Sequence, residues 1–299
     1  MDDAMATVLI IGGSGCVGIE TTHALLSRGV DNIICLARGT TAVNPIQGVK
    51  YVQADILDLP SILTTLTDHA VTHVLHAAGL RTTDCKKSPT RAVEVNVTGT
   101  SNVLEAIRLY GKIQRFVFTS TAAVYKVPDD GSIVSELAAT TPLNPYTATK
   151  LAAELLIECY ALSYQLPATI LRPQIIYGPT RGSDGSTAGI SQAIKAAQNG
   201  KKFTIPFGGR TGFHYSRDVG QQHALALLES PEHFACYNLP AESLSVAEIC
   251  STINTLHSNQ LVDHTDYSYP FAHGLDSSAF LKAFPLAQPT NFANALRDA

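Results

Sequence analysis

Apolar positions along this chain come in short bursts. Thr7–Ile11 is a β-branched run ending in glycines, and residues 19–28 then space their apolar positions helically until Gly29 stops them. Residues 32–36 and 49–53 read as the second and third strands, and 74–76 lie in a fourth. Residues 91–109 read as one long helix closed by Gly111, followed by a fifth strand at Arg115–Thr119. A second long helix covers 146–164, with Pro145 just ahead of it, where proline is tolerated, and 168–171 form a sixth strand. Apolar strands alternating with helices predict an α/β fold with a parallel sheet covered on both faces.

Beyond Arg172 the pattern loosens. Residues 178–186 combine glycines, a proline and serines into a loop, and a helix is expected over 190–198. A short strand at 237–239 and helices near 246–256 and 277–284 complete the reading. Residues 1–171 are thus expected to form one layered domain. Residues 172–299 would be mainly a smaller lobe, with segments of about 209–240 returning to the sheet.

Composition narrows the class. The 299 residues are 45% apolar, enough for a sizeable core and unlike disordered, collagenous or coiled-coil chains. A net charge of −4 without a basic block argues against a nucleic-acid partner. The start is acidic where a signal peptide would be basic, and no apolar run is long enough to span a membrane. Six scattered cysteines without a C-x-x-C pair read as small apolar residues in a reducing compartment, with Cys85 in a polar surface loop at 81–88. A soluble, cytoplasmic protein is expected.

Chemistry enters at the first strand–helix junction. Gly12, Gly15 and Gly18 have the spacing that lets a backbone turn tightly, approach a pyrophosphate and pack a helix on its strand. With Ser14, Cys16 and Val17 they would offer free N–H groups at a helix N-terminus to phosphates. The end of the second strand carries Arg38 and no carboxylate, which favours NADP over NAD, because an arginine can pair with a 2′-phosphate. Tyr146 and Lys150, four apart on one helix face, make an acid–base pair in which the cation would lower the phenol pKa. The hydroxyl run 119–121 ends the preceding strand, where α/β sheets bind ligands. His73 and His76 sit among apolar residues without a third ligand, so no metal site is expected.

Over residues 6–240 the chain resembles the extended short-chain dehydrogenase/reductase family, in its NAD(P)-dependent epimerase/dehydratase group. The resemblance rests on Gly12-x-x-Gly15-x-x-Gly18, Asp55-Ile56-Leu57-Asp58, His76-Ala77-Ala78-Gly79 and Asn96-Val97-Thr98-Gly99-Thr100. Phe118 through Tyr125, Pro145-Tyr146 with Lys150, Leu171-Arg172-Pro173 and Tyr177-Gly178-Pro179 follow in family order. It implies a Rossmann-type doubly wound sheet with a smaller C-terminal substrate lobe. It implies that Asp55 and Ile56 border the adenine, that Ala77, Ala78 and Gly79 line the middle of the cofactor, and that Pro173 lies near the nicotinamide. Thr121 stands at the catalytic Ser/Thr position, Tyr146 at the acid/base and Lys150 at the ribose-binding lysine, while Asn96 supports the site through a helix kink or water. Substrate-side candidates are Thr121, Tyr177, Arg210 and His214. A homodimer through the two long helices is also implied.

The implied activity is hydride transfer between nicotinamide C4 and a hydroxy or carbonyl carbon of a small polyol or sugar-like substrate. A nucleotide-sugar epimerase with tightly held NAD, and a non-catalytic NADP-binding regulator, are the alternatives. Ala122 and Ala123 stand where family dehydratases have Asp-Glu, which argues against 4,6-dehydration. The scarcity of cations in the late lobe argues for a small, weakly charged substrate.

Overall fold

A computed structural model describes residues 6–39, 45–257 and 260–298. The chain begins with β1 (Thr7–Ile11), α1 (Cys16–Leu26), β2 (Asn32–Ala37), β3 (Lys50–Gln53), α2 (Leu59–Asp68) and β4 (His73–His76). Two short helices, α3 (Thr82–Lys87) and α4 (Pro89–Val93), run through a π turn at Glu94–Thr98 into α5 (Gly99–Tyr110). Then come β5 (Arg115–Thr119), α6 (Pro145–Tyr164), β6 (Ala168–Arg172), β7 (Ile175–Tyr177), α7 (Gly189–Gln198), β8 (Phe203–Ile205) and β9 (Arg210–Tyr215). The chain closes with α8 (Ser216–Leu228), β10 (Phe234–Asn238), β11 (Glu242–Ser245), α9 (Val246–Leu256), β12 (Val262–His264), α10 (Ser278–Ala283) and α11 (Phe292–Arg297).

Seven parallel strands form the central sheet, in the order β10-β6-β5-β4-β1-β2-β3. From β1 the chain winds outward through β2 and β3. It then returns to the other side of β1 and winds away through β4, β5 and β6. The order therefore reverses between β1 and β4, and such a switch point opens a crevice at the C-terminal strand ends. Alternate residues feed two apolar layers. Leu9, Ile11, Ile34 and Leu36 face α2, α5 and α6, whereas Val8, Ile10, Ile33 and Cys35 face α1 and α8. A separate cluster around Tyr177, Phe207, Phe213 and Ile249 forms a core beyond the sheet.

Several local expectations change. The helix expected at 91–109 is interrupted by the π turn, and the polar stretch 81–88 contains α3, with Cys85 fully buried rather than on the surface. The helices α2 and α8 lie outside the expected elements. α8 buries residues almost all round and so shows no polar face, whereas α2 is short and has a threonine, Thr65, among its three buried positions. Cys159 is exposed, so not every cysteine is a core residue.

Candidate active site

The crevice at the switch point is a cleft of about 910 Å³. Gly12 follows β1 with φ +94°, and a Cβ there would stand 2.7 Å from the Ala78 nitrogen. At Gly18 a Cβ would strike the Gly12 carbonyl, so α1 packs directly on the turn. Gly15 precedes α1 as its N-cap and no side chain caps the helix, which leaves its leading N–H groups for a ligand. Gly12, Ser14, Gly15, Cys16, Val17 and Gly18 all line the cleft. A close backbone cradle at an uncapped helix start, inside a cleft of this size, fits a dinucleotide.

One end of the cleft is formed by Arg38, Asp55 and Ile56. Arg38 is exposed just past β2, and its carbonyl accepts a 3.0 Å bond from Gln53 Nε2. Asp55 and Ile56 follow β3, and Ile56 is wedged against Gly99 at the start of α5. Ala77, Ala78 and Gly79 follow β4 and form the middle. Asn96 projects from the π turn and fastens the next residue. Its Oδ1 accepts from Leu80 N at 2.7 Å, and its Nδ2 donates to Leu80 O at 3.1 Å and to Thr149 Oγ1 at 3.0 Å. It braces the site from behind rather than lining the cleft.

At the other end stand Thr121, just past β5, and Tyr146, in the first turn of α6. Asn144 and Thr147 start α6 with a reciprocal capping box, which sets where Tyr146 emerges. The packed surroundings push the Tyr146 phenol up to about 12, opposed in part by the nearby Thr121 hydroxyl. Lys150 is buried, and its Nζ donates to the Thr119 carbonyl at 2.5 Å and lies 4.0 Å from the Phe118 ring centroid. Burial holds the Lys150 amine down to about 7, with the Glu154 carboxylate working against that shift. Lys150 thus stands behind the cleft wall, and the lowered phenol pKa expected from the Tyr146–Lys150 spacing is not found here. Desolvation of the phenol outweighs the cations near it, of which Arg181 rather than Lys150 is the one that acts on it.

The model of the NAD dependent epimerase/dehydratase family matches residues 8–239. The chain belongs to this family. A UDP-glucose 4-epimerase of Streptomyces lividans is 30% identical over 264 residues, covering 82% of this chain and 79% of the relative. A trifunctional UDP-glucose 4,6-dehydratase, epimerase and reductase of Arabidopsis thaliana is 28% identical over 234 residues, 74% of this chain. The chain spans about a third (35%) of that relative's length. Among solved structures, the Thermus thermophilus UDP-glucose 4-epimerase in complex with NAD superposes with a TM-score of 0.85 at 25% identity, covering 98% of this chain and 99% of that one.

Pro173, Gln174 and Ile176 continue the cleft wall. Three proposed contacts do not reach it. Tyr177 is buried between Tyr215 and Phe292, with ring centroids 5.8 and 5.0 Å away. Arg210 is turned outward into a 2.6 Å ion pair with Glu248. His214 is buried, accepts a 2.9 Å bond from Gln174 N at Nε2, and is held down to about 3 by burial. Each was placed by its position in a motif, but its strand's packing turns it away.

The cleft instead gathers residues that motif reading missed: Arg81, Lys86 and Arg181, together with Tyr267, Tyr269 and Phe271. Arg81 and Arg181 both donate to the Asp184 carbonyl, at 3.1 and 3.0 Å. The cleft is therefore not poor in cations, which removes the argument for a weakly charged substrate. The alternation Tyr267-x-Tyr269-x-Phe271 was the available signal for the aromatic wall. His76 is a core residue whose Nε2 lies 3.1 Å from Thr100 Oγ1. Among the described residues no His/Cys/Asp/Glu group could hold a metal, and no helix is long and apolar enough to cross a membrane.

Proposed function

We propose that this chain is an NAD(P)-dependent oxidoreductase acting on a hydroxy or carbonyl carbon of a small polyol or sugar-like substrate. The observation that carries this reading is the meeting of the glycine cradle with the Thr121–Tyr146 pair in one cleft. A bound nicotinamide dinucleotide supplies the hydride acceptor or donor. Thr121 orients the substrate oxygen, and Tyr146 gives or takes the proton at its phenol oxygen. Lys150 acts from behind, holding the Thr119 carbonyl and with it the strand end that carries Thr121. Arg38, the exposed cation beyond β2, favours NADP over NAD.

A nucleotide-sugar epimerase is the second reading, favoured by the Streptomyces relative and by Arg81 and Arg181 in the cleft, whose guanidiniums suit a diphosphate. We further propose a division into a dinucleotide domain, 1–171, and a mainly substrate-binding lobe, 172–299. A homodimer through α5 and α6, and a cytoplasmic setting, complete the proposal.

Titration calorimetry with NAD⁺ and NADP⁺, followed by absorbance assays on polyol, sugar and UDP-sugar panels, tests the reading. NADP⁺ is expected to bind more tightly. Net change in nicotinamide absorbance would favour the oxidoreductase, and isomerised product without such change the epimerase. Uptake of neither dinucleotide would remove both.

A further inference from the structure

A second polar cluster joins α1, the loop after β7 and the start of α8. Glu20 of α1 is 5% exposed, and its Oε1 accepts from Thr180 Oγ1 at 2.6 Å and from Ser216 Oγ at 3.0 Å. Cys16 lies one turn earlier on the same helix face, and its Sγ is 3.3 Å from the Thr180 hydroxyl. Among the described residues Glu20 pairs with no cation. The backbones here are equally close. A Cβ on Gly220 of α8 would strike the Glu20 carbonyl, and one on Gly178 would strike Ser216.

A carboxylate buried without a cation costs stability, and an apolar side chain would fill the same space without that cost. Packing alone therefore does not account for Glu20. Its donors do point to a role. Thr180 immediately precedes Arg181, which lines the cleft beside the glycine loop and donates to the Gly182 and Asp184 carbonyls.

We propose that Glu20 is a positioning residue: it ties the helix behind the glycine loop to Thr180 and so holds Arg181 over the cleft. The device links the helix proposed to bind the dinucleotide with the loop above the substrate side, and in that respect it rests on the function proposed above. Without the tie, the 178–188 loop opens locally while the rest of the fold stays closed.

Trypsin digestion under native conditions reads this opening, because cleavage at the Arg181–Gly182 bond follows the population of the open loop. Thr180→Val and Glu20→Met should be cut there up to about tenfold faster than wild type, the upper scale of one buried hydrogen bond. Glu20→Gln keeps an acceptor oxygen and should restore a near wild-type rate. Cleavage at the Arg38–Gly39 bond should be unchanged in all three variants. The proposal falls if Thr180→Val is cut at the wild-type rate, or if Glu20→Gln matches Glu20→Met. Thr180→Val leaves the α1–α8 contact intact and decides the matter even if Glu20→Met does not fold. Calorimetry of the wild type with NAD⁺ and NADP⁺ separates the two readings. Lack of uptake sinks the dinucleotide site, whereas uptake with unaltered digestion sinks the tie alone.

Discussion

Tyr146 keeps its proton across the neutral range, because its packed surroundings push the phenol up to about 12. The protonated form is the one that can deliver a proton to a carbonyl oxygen, so the reductive direction needs no change of state. The oxidative direction needs the phenolate, whose fraction grows tenfold per pH unit below 12, so the oxidative rate should climb with pH. Tyr146→Phe removes the transferable proton and leaves the ring. Turnover should fall by about 10²–10⁴-fold in either direction. Dinucleotide affinity, measured by calorimetry, should stay within about twofold, since the glycine cradle is untouched. A variant retaining turnover within about tenfold of wild type would exclude Tyr146 from proton transfer. Thr121 is tied to the same chemistry, because its hydroxyl opposes the phenol's upward shift more strongly than the Arg181 cation does.

At the scale of elements, α6 serves two surfaces. Its inner face buries Lys150, Ala153, Glu154, Ile157 and Ala161 behind the cleft. Glu154 forms a buried ion pair with Arg172 of β6, with N–O distances of 3.0 and 2.5 Å, and accepts from Ser120. That pair fastens α6 to the strand ends that carry the site. The outer face shows Leu155 and Leu162, seven residues apart and 55% and 67% exposed. Leu109 of α5 and Tyr164 extend the apolar area. Apolar positions exposed along α6 and at the end of the adjacent α5 suit a second copy of the chain. Light scattering should give twice the 31.8 kDa chain mass, and Leu155→Glu with Leu162→Glu should halve it. A wild-type mass equal to one chain at tens of micromolar would dismiss the interface.

Across the whole molecule, three buried histidines set an acid limit. Burial holds His76 and His214 down to about 3 and His223 to about 4, against about 6.5 in an unfolded chain. Below pH 6.5 the unfolded chain therefore takes up protons that the folded one refuses, and acidification favours unfolding. Between pH 6.5 and 5, where most carboxylates stay ionised, each histidine should remove about 1.4 kcal/mol of stability per pH unit once its unfolded form titrates fully. Lys150 adds nothing in this window, since it is charged in both states below about 7. Urea midpoints should fall steadily from pH 6.5 to 5, and His223→Gln should flatten the slope by one proton. A midpoint independent of pH there would mean that these rings are protonated in the fold.

Features that depend on neighbours along the chain could be read from the amino-acid order. The strands up to β6 and the helix α6 were legible because strand and helix periods differ and glycine or proline marks their ends. The Gly12–Gly18 cradle was legible because its chemistry lies within seven residues, and the place of Tyr146 in the first turn of α6 because Pro145 marks the helix start. Features that depend on distant segments meeting came only with the fold. Arg81 and Arg181 lie 100 residues apart and share one carbonyl only because the loops after β4 and β7 close over the same cleft. Lys150 faces Thr119 instead of the cleft because the strand end comes between them. Tyr177, Arg210 and His214 sit in or beside the right motifs, yet the pairing of β7, β9 and β11 turns them away from the site. A side chain's burial, and so its charge, is a property of everything packed around it, and no stretch of sequence carries that information alone.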